Sequence, residues 1–187
     1  MERPLEYYDP NEIIQTDSGN KISRKSTIYG SQSITIAGKT IVNSGSILRG
    51  DLKKQGSQFA ISIGKYCYIS KGVKIIPPAR LVNGIEAFYP IRIGDHVYIG
   101  ENSQVKASSI GSNVYIGKNC VIGEFVVIKD GAYINDNTTI SPHAVIPSWT
   151  VWYGKNQFSD DFLAASFLQY MENLTRECYF KFLPKSR

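Results

Sequence analysis

The stretch "IGSNVYIGKNCVIG", residues 110–123, places isoleucine at every sixth position and follows each isoleucine with glycine. From residue 110 onward this six-residue frame is unbroken, and its first place is filled by Ile110, Ile116, Ile122, Ile128, Ile134, Ile140, Ile146 and then Trp152. The fifth place holds only small or β-branched residues: Val114, Cys120, Val126, Ala132, Thr138, Ala144 and Thr150. A repeat of fixed period determines the architecture and is therefore interpreted first.

Related hexads occur earlier in the chain. Clear copies are marked by Ile63, Ile69, Ile93, Ile99 and Val105, and a weaker copy by Ile22, Ile28, Ile34, Ile41 and Ile47. The frame breaks at residues 53–60, at 77–90 around Pro77-Pro78, and by one residue at 105–110. We expect loop insertions at the first two breaks.

Strand geometry explains the period of six. Alternate side chains of a strand face the same side, so the first and fifth places of a hexad point one way. The residues between them form a tight turn, which Gly, Asn and Asp tolerate best. Three such units close a triangular coil of about eighteen residues, and successive coils stack ~4.8 Å apart. The sequence therefore predicts a mainly β, single-stranded parallel β-helix whose axis is filled by isoleucine. Cys67 and Cys120 take the small inward place, which predicts a packing role.

The tail changes its period. In residues 159–182 the apolar residues recur at three- and four-residue spacing, which predicts an amphipathic α-helix with Ser159 as its N-cap. At 1.5 Å per residue such a helix would be about 30 Å long and would run back along several coils. We therefore divide the chain into a repeat domain, residues 1–158, and a C-terminal helix and tail, residues 159–187. The repeat domain includes an irregular N-terminal segment, 1–20, and the insertions near 53–60 and 77–90.

The last place of each hexad is an outward-facing strand position. Taking every third hexad predicts that Tyr98, Tyr115 and Tyr133 stack on one face, with Val151 next in line. The other faces would carry Gln104, Val121 and Thr139, or Ser109, Val127 and Val145. Because an exposed apolar strip of this length is a liability, we predict that the C-terminal helix covers the tyrosines, the alternative being that a partner protein covers them.

The composition excludes several classes of protein. The net charge of +5 comes from 21 basic residues that are scattered along the chain, without a nucleic-acid-binding motif, so we expect no nucleic-acid partner. No apolar run approaches the ~18 residues of a membrane span, and the N-terminus lacks the pattern of a signal peptide. We expect an intracellular protein without membrane insertion. The three cysteines are far apart and show no disulfide or zinc spacing.

The hexads resemble those of the hexapeptide-repeat superfamily, and the resemblance implies a left-handed β-helix. Two enzyme classes share that fold, and the first is the gamma-class carbonic anhydrases. "ILRGDL", residues 47–52, resembles their arginine-glycine-aspartate segment. These trimeric enzymes bind a metal with three histidines, and neutral imidazole suits zinc or iron. The resemblance leaves Arg49 and Asp51 as a structural ion pair or turn.

The family's glutamine-aspartate pair and histidine ligands have no counterpart in this chain. Alignment on Ile63 puts Ser70 and Lys71 at the pair and Ile76 at the first histidine, and alignment on Ile93 puts Glu101 and Lys106 at the other two histidines. We therefore expect no metal and no cofactor.

The second class is the hexapeptide acyltransferases, which use histidine as a general base between trimer subunits. The candidates are His96 in "GDHV" and His143 in "SPHAV", both at the fourth place of a hexad. We expect both to lie on solvent-facing corners rather than to act in catalysis. A trimeric enzyme of either class is the alternative hypothesis, and an unrelated β-helical assembly protein is a third.

Three longer stretches closely resemble the family of the twenty-five-kilodalton subunit of dynactin: residues 16–52, residues 90–130 and "YFKFLP" at 179–184. The segments "SGNKISR" and "GKTIV" within the first stretch belong to no generic hexad. The stretch "KKQGSQFA" is longer than in the family pattern, and the extreme N-terminus is poorly matched.

The resemblance implies a non-catalytic scaffold subunit of the pointed-end complex of dynactin, in the cytoplasm and at the cytoskeleton. This complex caps the actin-related filament and helps link dynein to cargo. The implied partners are the twenty-seven-kilodalton β-helical subunit, the pointed-end actin-related protein, the sixty-two-kilodalton subunit and dynein cargo adaptors. For partner contacts we predict the loop and corner residues Lys53, Lys54, Lys71, Arg80, Phe88 and Lys106.

Overall fold

The computed structural model describes residues 2–186, and in it the six-residue period forms short strands separated by tight corners. Each coil places one strand on each of three faces, and the strands of successive coils pair in parallel. The first face contains Lys21–Ser23, Ile41–Val42, Tyr68–Ile69, Tyr98–Ile99, Tyr115–Ile116, Tyr133–Ile134 and Thr150–Tyr153. The second contains Thr27–Tyr29, Ile47–Arg49, Lys74–Ile75, Gln104–Val105, Val121–Ile122 and Thr139–Ile140. The third contains Ile34–Gly38, Ile61–Lys65, Ile91–Ile93, Ser109–Ile110, Val127–Ile128 and Val145–Ile146. This is the predicted parallel β-helix.

The axis is filled by the first-place isoleucines. In the central coils Ile116, Ile122 and Ile128 are at most 1% exposed, and Val114, Cys120 and Val126 fill the space beside them. Burying each isoleucine stabilises the stack by about 1.5–3 kcal/mol. Burial raises the pKa of the Cys67 thiol to about 12, as expected for a thiol that packs in the axis.

The corners depend on residues with left-handed backbone conformations. Asn102, Asn119 and Asn137 lie above one another on one corner with φ of 54–59°. The Asn119 amide donates to the carbonyl of Glu101, and the Asn137 amide donates to the carbonyl of Lys118. Asparagine tolerates this conformation better than other non-glycine residues. The corner column is therefore encoded in the sequence.

In the second coil the sequence pattern predicts the wrong residues to face the axis. Val42 and Leu48 pair with the inward Ile22 and Ile28 and face the axis, whereas Ile41 and Ile47 point outward. The cause is the five-residue strand Ile34–Gly38, which turns two of its isoleucines to the axis. The second of these, Ile36, begins a new six-residue frame that continues through Val42 and Leu48.

Both predicted terminal segments differ from the structure. Residues 1–20, predicted as irregular, contain the strands Glu6–Tyr8 and Ile13–Gln15 and a 3-10 turn at Pro10–Glu12; a second 3-10 turn spans Ser31–Ser33. The helix spans Ser166–Phe180 and does not begin at Ser159. It is thus about 22 Å long rather than 30 Å. The chain ends with the short strand Phe182–Pro184.

An antiparallel strand, Gln157–Phe162, occupies the predicted start of the helix and crosses the boundary drawn at residue 158. It folds back on Thr150–Tyr153 because Phe158 packs on Trp152, with ring centroids 5.0 Å apart. The Ser159 hydroxyl accepts from the Asp161 amide at 3.2 Å instead of capping a helix.

The second insertion forms a hairpin. Ala79–Val82 pairs antiparallel with Ile85–Phe88, and neither strand pairs with the coil within residues 2–186. Across the same residues, no helix combines the length and apolar character needed to span a membrane.

Candidate partner-binding surfaces

The first face carries the predicted stack of tyrosine side chains. Tyr98 pairs in register with Tyr115, and Tyr115 with Tyr133, with ring centroids 5.0 and 4.6 Å apart. Tyr68, one coil earlier, extends the stack at 5.1 Å. Burial raises the pKa of Tyr68 and Tyr115. The remaining faces carry the residues predicted for them, including Val121 beside Gln104 and Val127 beside Ser109.

The C-terminal helix covers this stack, as predicted. Phe167 meets the ring of Tyr133 edge-on at 6.0 Å, and Met171 is fully buried. Further along, Leu174 and Cys178 pack with Tyr68 and Tyr98 in a cluster separate from the axis. The helix therefore runs back from the C-terminal end of the stack and leaves Tyr98, Tyr115 and Tyr133 only partly exposed.

A buried lysine holds the end of the helix. Lys21 Nζ donates to the carbonyl oxygens of Tyr179, at 3.1 Å, and Phe182, at 2.6 Å, and lies 4.2 Å from the Tyr179 ring centroid. Burial lowers the pKa of Lys21. A cation at a helix C-terminus satisfies carbonyls that have no partner within the helix. The hexad pattern places Lys21 at an ordinary outward position, so the sequence alone does not single it out.

The N-terminal segment makes a second set of contacts with the end of the helix and the strand that follows it. Glu6–Tyr8 pairs in parallel with Phe182–Pro184, and Lys181 Nζ donates to the Arg3 carbonyl at 2.8 Å. The Arg3 guanidinium donates to Tyr68 Oη at 3.1 Å. The segment thus ties both ends of the chain to the first face.

The two histidines occupy different environments. His143 is exposed and stacks on Phe125, with ring centroids 5.4 Å apart, as expected for a corner. His96 was also predicted to face solvent, but the helix covers it: its Nδ1 lies 2.7 Å from Thr175 Oγ1, and its ring stacks on Tyr66. Burial lowers the pKa of His96. His96 thus contacts the C-terminal helix and does not lie on a solvent-facing corner.

The carbonic-anhydrase-like segment forms the predicted ion pair. Arg49 Nε and Nη2 each lie 2.8 Å from a carboxylate oxygen of Asp51, and the guanidinium lies 5.1 Å from the Tyr29 ring centroid. The hydrogen bonds from Arg49 lower the pKa of Asp51. Residues 2–186 contain no group of three His, Cys, Asp or Glu side chains arranged to hold a metal ion.

Both insertions leave the coil at the same corner, between the second and third faces, which we call the insertion corner. Residues 50–60 connect Ile47–Arg49 to Ile61–Lys65, and residues 76–90 connect Lys74–Ile75 to Ile91–Ile93 in the next coil. This corner lies opposite the helix-covered first face. It brings together Lys53, Lys54, Arg80 and Phe88 from the predicted set.

Tyr89 joins the two insertions. Lys54 Nζ lies 4.5 Å from its ring centroid, and Arg80 Nε donates to its hydroxyl at 2.9 Å. Phe125 meets the same ring edge-on at 5.5 Å. Neither Tyr89 nor Phe125 stands at a core position of a hexad, so the repeat does not single them out.

The last two predicted residues, Lys106 and Lys71, lie on different corners from each other. Lys106 is on the insertion corner, where its Nζ lies 3.8 Å from a carboxylate oxygen of Glu124. Lys71 is exposed on the corner between the first and second faces, where its carbonyl accepts from the Asn102 amide. Whether any of the six contacts a partner stays a prediction.

The N-terminal end of the stack is open. The outer edges of Thr27–Tyr29 and Ile34–Gly38 pair with no strand in the described chain, whereas Ile13–Gln15 closes the first face. A depression of about 260 Å³ exposes axis residues there, lined by Thr16, Ser18, Asn20, Ile22, Ile28, Ser31, Ile34 and Ile36. At the other end Trp152, 9% exposed, plugs the axis.

Comparison with known proteins gives a family for the whole chain. A family model described as dynactin subunit 5 matches residues 1–187. A curated protein of Dictyostelium discoideum, named dynactin subunit 5, is 37% identical over 112 residues, which are 60% of this chain and 54% of that protein. The chain thus spans about half the length of this relative.

Solved structures share the fold. A hexapeptide transferase family protein from Anaplasma phagocytophilum superposes with a TM-score of 0.62 at 15% identity, over 91% of this chain and 97% of that chain. An N-acyltransferase from Bacillus cereus, in complex with dTDP and coenzyme A, gives a TM-score of 0.53 at 14% identity, over 83% and 87%. At these identities the likeness establishes the left-handed β-helix alone.

Proposed function

The chain belongs to the dynactin subunit 5 family, and from this premise we propose that it is a non-catalytic scaffold subunit of the pointed-end complex of dynactin. The observation that carries the proposal is the match of the family model to residues 1–187. The subunit would act in the cytoplasm and at the cytoskeleton, where it helps cap the actin-related filament and link dynein to cargo adaptors.

The open N-terminal end is the surface we propose for the twenty-seven-kilodalton β-helical subunit. Unpaired strand edges must be covered or paired with another chain. Ile22, Ile28, Ile34 and Ile36 are only partly buried there, so a second coil stacked on this end would complete their burial. Trp152 already fills the axis at the opposite end, which favours the N-terminal end for this contact.

The insertion corner is the surface we propose for the remaining partners: the pointed-end actin-related protein, the sixty-two-kilodalton subunit and the cargo adaptors. Lys53, Lys54 and Arg80 are exposed, and Phe88 is partly buried at the base of the hairpin. Lys106 lies on the same corner, one coil further along. Lys71 would serve a contact on a different corner.

A non-catalytic role fits the surroundings of the two histidines. A general base must be able to reach a substrate. His96 Nδ1 is in contact with Thr175 under the helix, and His143 stacks on Phe125. The acyltransferase fold of the solved neighbours is compatible with this role because one fold carries many functions.

Reconstitution tests the proposal. The full chain is mixed with the purified twenty-seven-kilodalton, sixty-two-kilodalton and actin-related subunits, and the mixture is analysed by size-exclusion chromatography with mass measurement. We expect one complex containing this chain, and an Ile28→Lys variant should enter it less well because the charge would be buried at the coil end. A matched Val121→Lys variant, on the exposed second face, should enter normally.

Two outcomes would contradict the proposal. In the first, the wild-type chain elutes alone in the presence of all three partners. In the second, the pure chain forms a trimer that turns over bicarbonate or an acyl thioester, as the enzyme classes of this fold would.

A further inference from the structure

The hairpin at 79–88 projects from the insertion corner as a preformed element. Its four pairs run from Ala79↔Phe88 to Val82↔Ile85, and the connecting Asn83 and Gly84 have φ of 51° and 77°. Positive φ at both loop residues is the signature of a type I′ turn, which matches the twist of paired strands. Four residues per strand extend about 13 Å.

The tip of the hairpin is apolar and exposed. Leu81 is 75% exposed, Ile85 73% and Val82 42%, and a Cβ added at Gly84 would meet no atom within 4 Å. Aliphatic side chains concentrated at the end of a projecting element favour a protein contact, since scattered apolar residues are normal but clusters are not.

The base of the hairpin is rigid. Pro77 and Pro78 are buried, and the Tyr89 amide donates to the Pro78 carbonyl at 2.8 Å. Arg80, Lys54 and Phe125 surround the Tyr89 ring. A rigid element loses little conformational entropy when it binds.

Positive charge is concentrated around this base. The two insertions and the strands that flank them, residues 47–60 and 74–93, contain six basic and two acidic residues, a net charge of +4, whereas the whole chain carries +5, so the remainder carries +1. Lys74 and Arg92 are exposed immediately before and after the insertion, on its two flanking faces. With Lys53, Lys54 and Arg80 they form a ring of cations, and none of the five makes an ion pair within residues 2–186.

We propose that the hairpin inserts its aliphatic tip into an apolar cleft of a partner protein whose rim carries carboxylates. The inference rests on the proposed function, since it specifies how the insertion corner would meet a partner. The tip supplies the buried apolar contact, and the cations at the base pair with the rim. Complementary charge of this kind accelerates association and selects the partner.

A protein fits the hairpin better than a lipid surface does. Membrane-inserting tips favour Trp and Tyr at the interface, and residues 81–86 contain neither. Glu86 pairs with Leu81 across the hairpin and is exposed, so its carboxylate would approach anionic headgroups together with the tip.

Two kinds of variant separate the tip from the charges. Leu81→Asp with Ile85→Asp makes the tip polar, and Phe162→Asp, at a residue of similar exposure (74%), is its control. Lys53→Glu with Lys74→Glu reverses two cations of the ring, and Lys118→Glu with Lys129→Glu, both exposed on other corners, is the matched control. Unfolding midpoints establish that each variant folds.

The fluorescently labelled full chain is titrated with the three recombinant partner subunits named above, at low and at physiological salt. We expect the tip variant to weaken binding to the actin-related subunit or the sixty-two-kilodalton subunit by about tenfold or more. Binding to the twenty-seven-kilodalton subunit, which we place at the N-terminal end, should not change. The charge variant should slow association, and the difference should shrink as salt rises. Both controls should bind like the wild type.

Each other outcome overturns the inference. Hairpin variants that bind both the actin-related subunit and the sixty-two-kilodalton subunit as tightly as their controls do refute the hairpin contact and leave the proposed function standing. A wild-type chain that binds none of the three subunits refutes the proposed function, and the inference falls with it. Binding to vesicles with about 30 mol% phosphatidylserine, lost in the tip variant while subunit binding is unchanged, would assign the hairpin to membranes instead.

Discussion

At the scale of the residue, the corners of the coil depend on residues whose backbone adopts a positive φ. Asn113 and His96 lie above one another on the corner between the third and first faces, both with positive φ, and the Asn113 amide donates to the carbonyl of Asp95. Asparagine and histidine both adopt this conformation more readily than most other non-glycine residues. The His96 ring is in addition held by its contacts with Tyr66 and Thr175.

We predict a pH dependence that originates at His96. Because burial holds its pKa below about 6.5, the value of an exposed histidine, the unfolded chain takes up the proton first as the pH falls. The free energy of unfolding should therefore be fully maintained above about pH 6.5 and decline below it. Nearby Arg176 lowers the pKa further, whereas Glu172 and Asp95 oppose the shift.

Urea unfolding between about pH 7.5 and pH 5 measures this dependence. His96→Gln should show a shallower decline than the wild type, and His143→Gln should keep the full decline. An equal decline in His96→Gln and the wild type would refute this assignment.

At the scale of the element, the C-terminal helix owes its stability to what it covers. A helix of 15 residues is marginal on its own, and no side chain caps its first turn. Its inner face packs on the tyrosine stack, and Lys21 closes its end. The same docking leaves the tyrosine strip only partly exposed.

We predict that the inner face of the helix carries the docking energy. Met171→Ala should lower the free energy of unfolding by about 2–5 kcal/mol, because a fully buried side chain leaves a cavity. Leu168→Ala, on the exposed side of the same helix, should cost less than about 1 kcal/mol. Thermal or urea unfolding compares the two, and similar losses would contradict the packing described here.

At the scale of the whole molecule, the stack is a one-dimensional array in which each coil contacts only its neighbours. The strands of the central coils have a neighbour on both sides, whereas in the first coil Thr27–Tyr29 and Ile34–Gly38 pair with a strand on one side only within residues 2–186. Ile22 and Ile28 are accordingly partly exposed, and Ile116 and Ile122 are not. Local stability should therefore rise from the N-terminal end toward the centre.

Native-state hydrogen exchange tests this gradient. We predict that amides of Lys21–Gly38 exchange faster than those of Tyr115–Ile140, and that a partner bound at the N-terminal end slows exchange in the first coil. If amides exchange at the same rate along the whole stack, or if partner binding does not slow exchange in the first coil, the N-terminal end is not the open end of the stack.

The sequence by itself determined the parallel β-helix, the faces of Tyr98 and Val121, the Arg49–Asp51 pair and a helix on the tyrosine face. The β-helix and the two faces follow from the six-residue repeat, and the Arg49–Asp51 pair from the segment at residues 47–52. The position of the helix follows from the need to cover a long apolar strip. Sequence did not locate the start of the helix, because the apolar spacing in residues 157–162 suits a strand on Trp152 as well as a helical turn.

Only the tertiary structure decided which distant residues meet. The two insertions are separated by fifteen residues, 61–75, and stacking alone brings Lys54 onto Tyr89 and both loops onto one corner. Lys21 at the end of the helix and Thr175 on His96 likewise depend on packing between segments more than 75 residues apart, |i−j| = 158 and 79. The six-residue period determines which side chains of a coil face inward or outward. Which loops and which residues of the helix meet depends instead on the number of residues that each insertion adds.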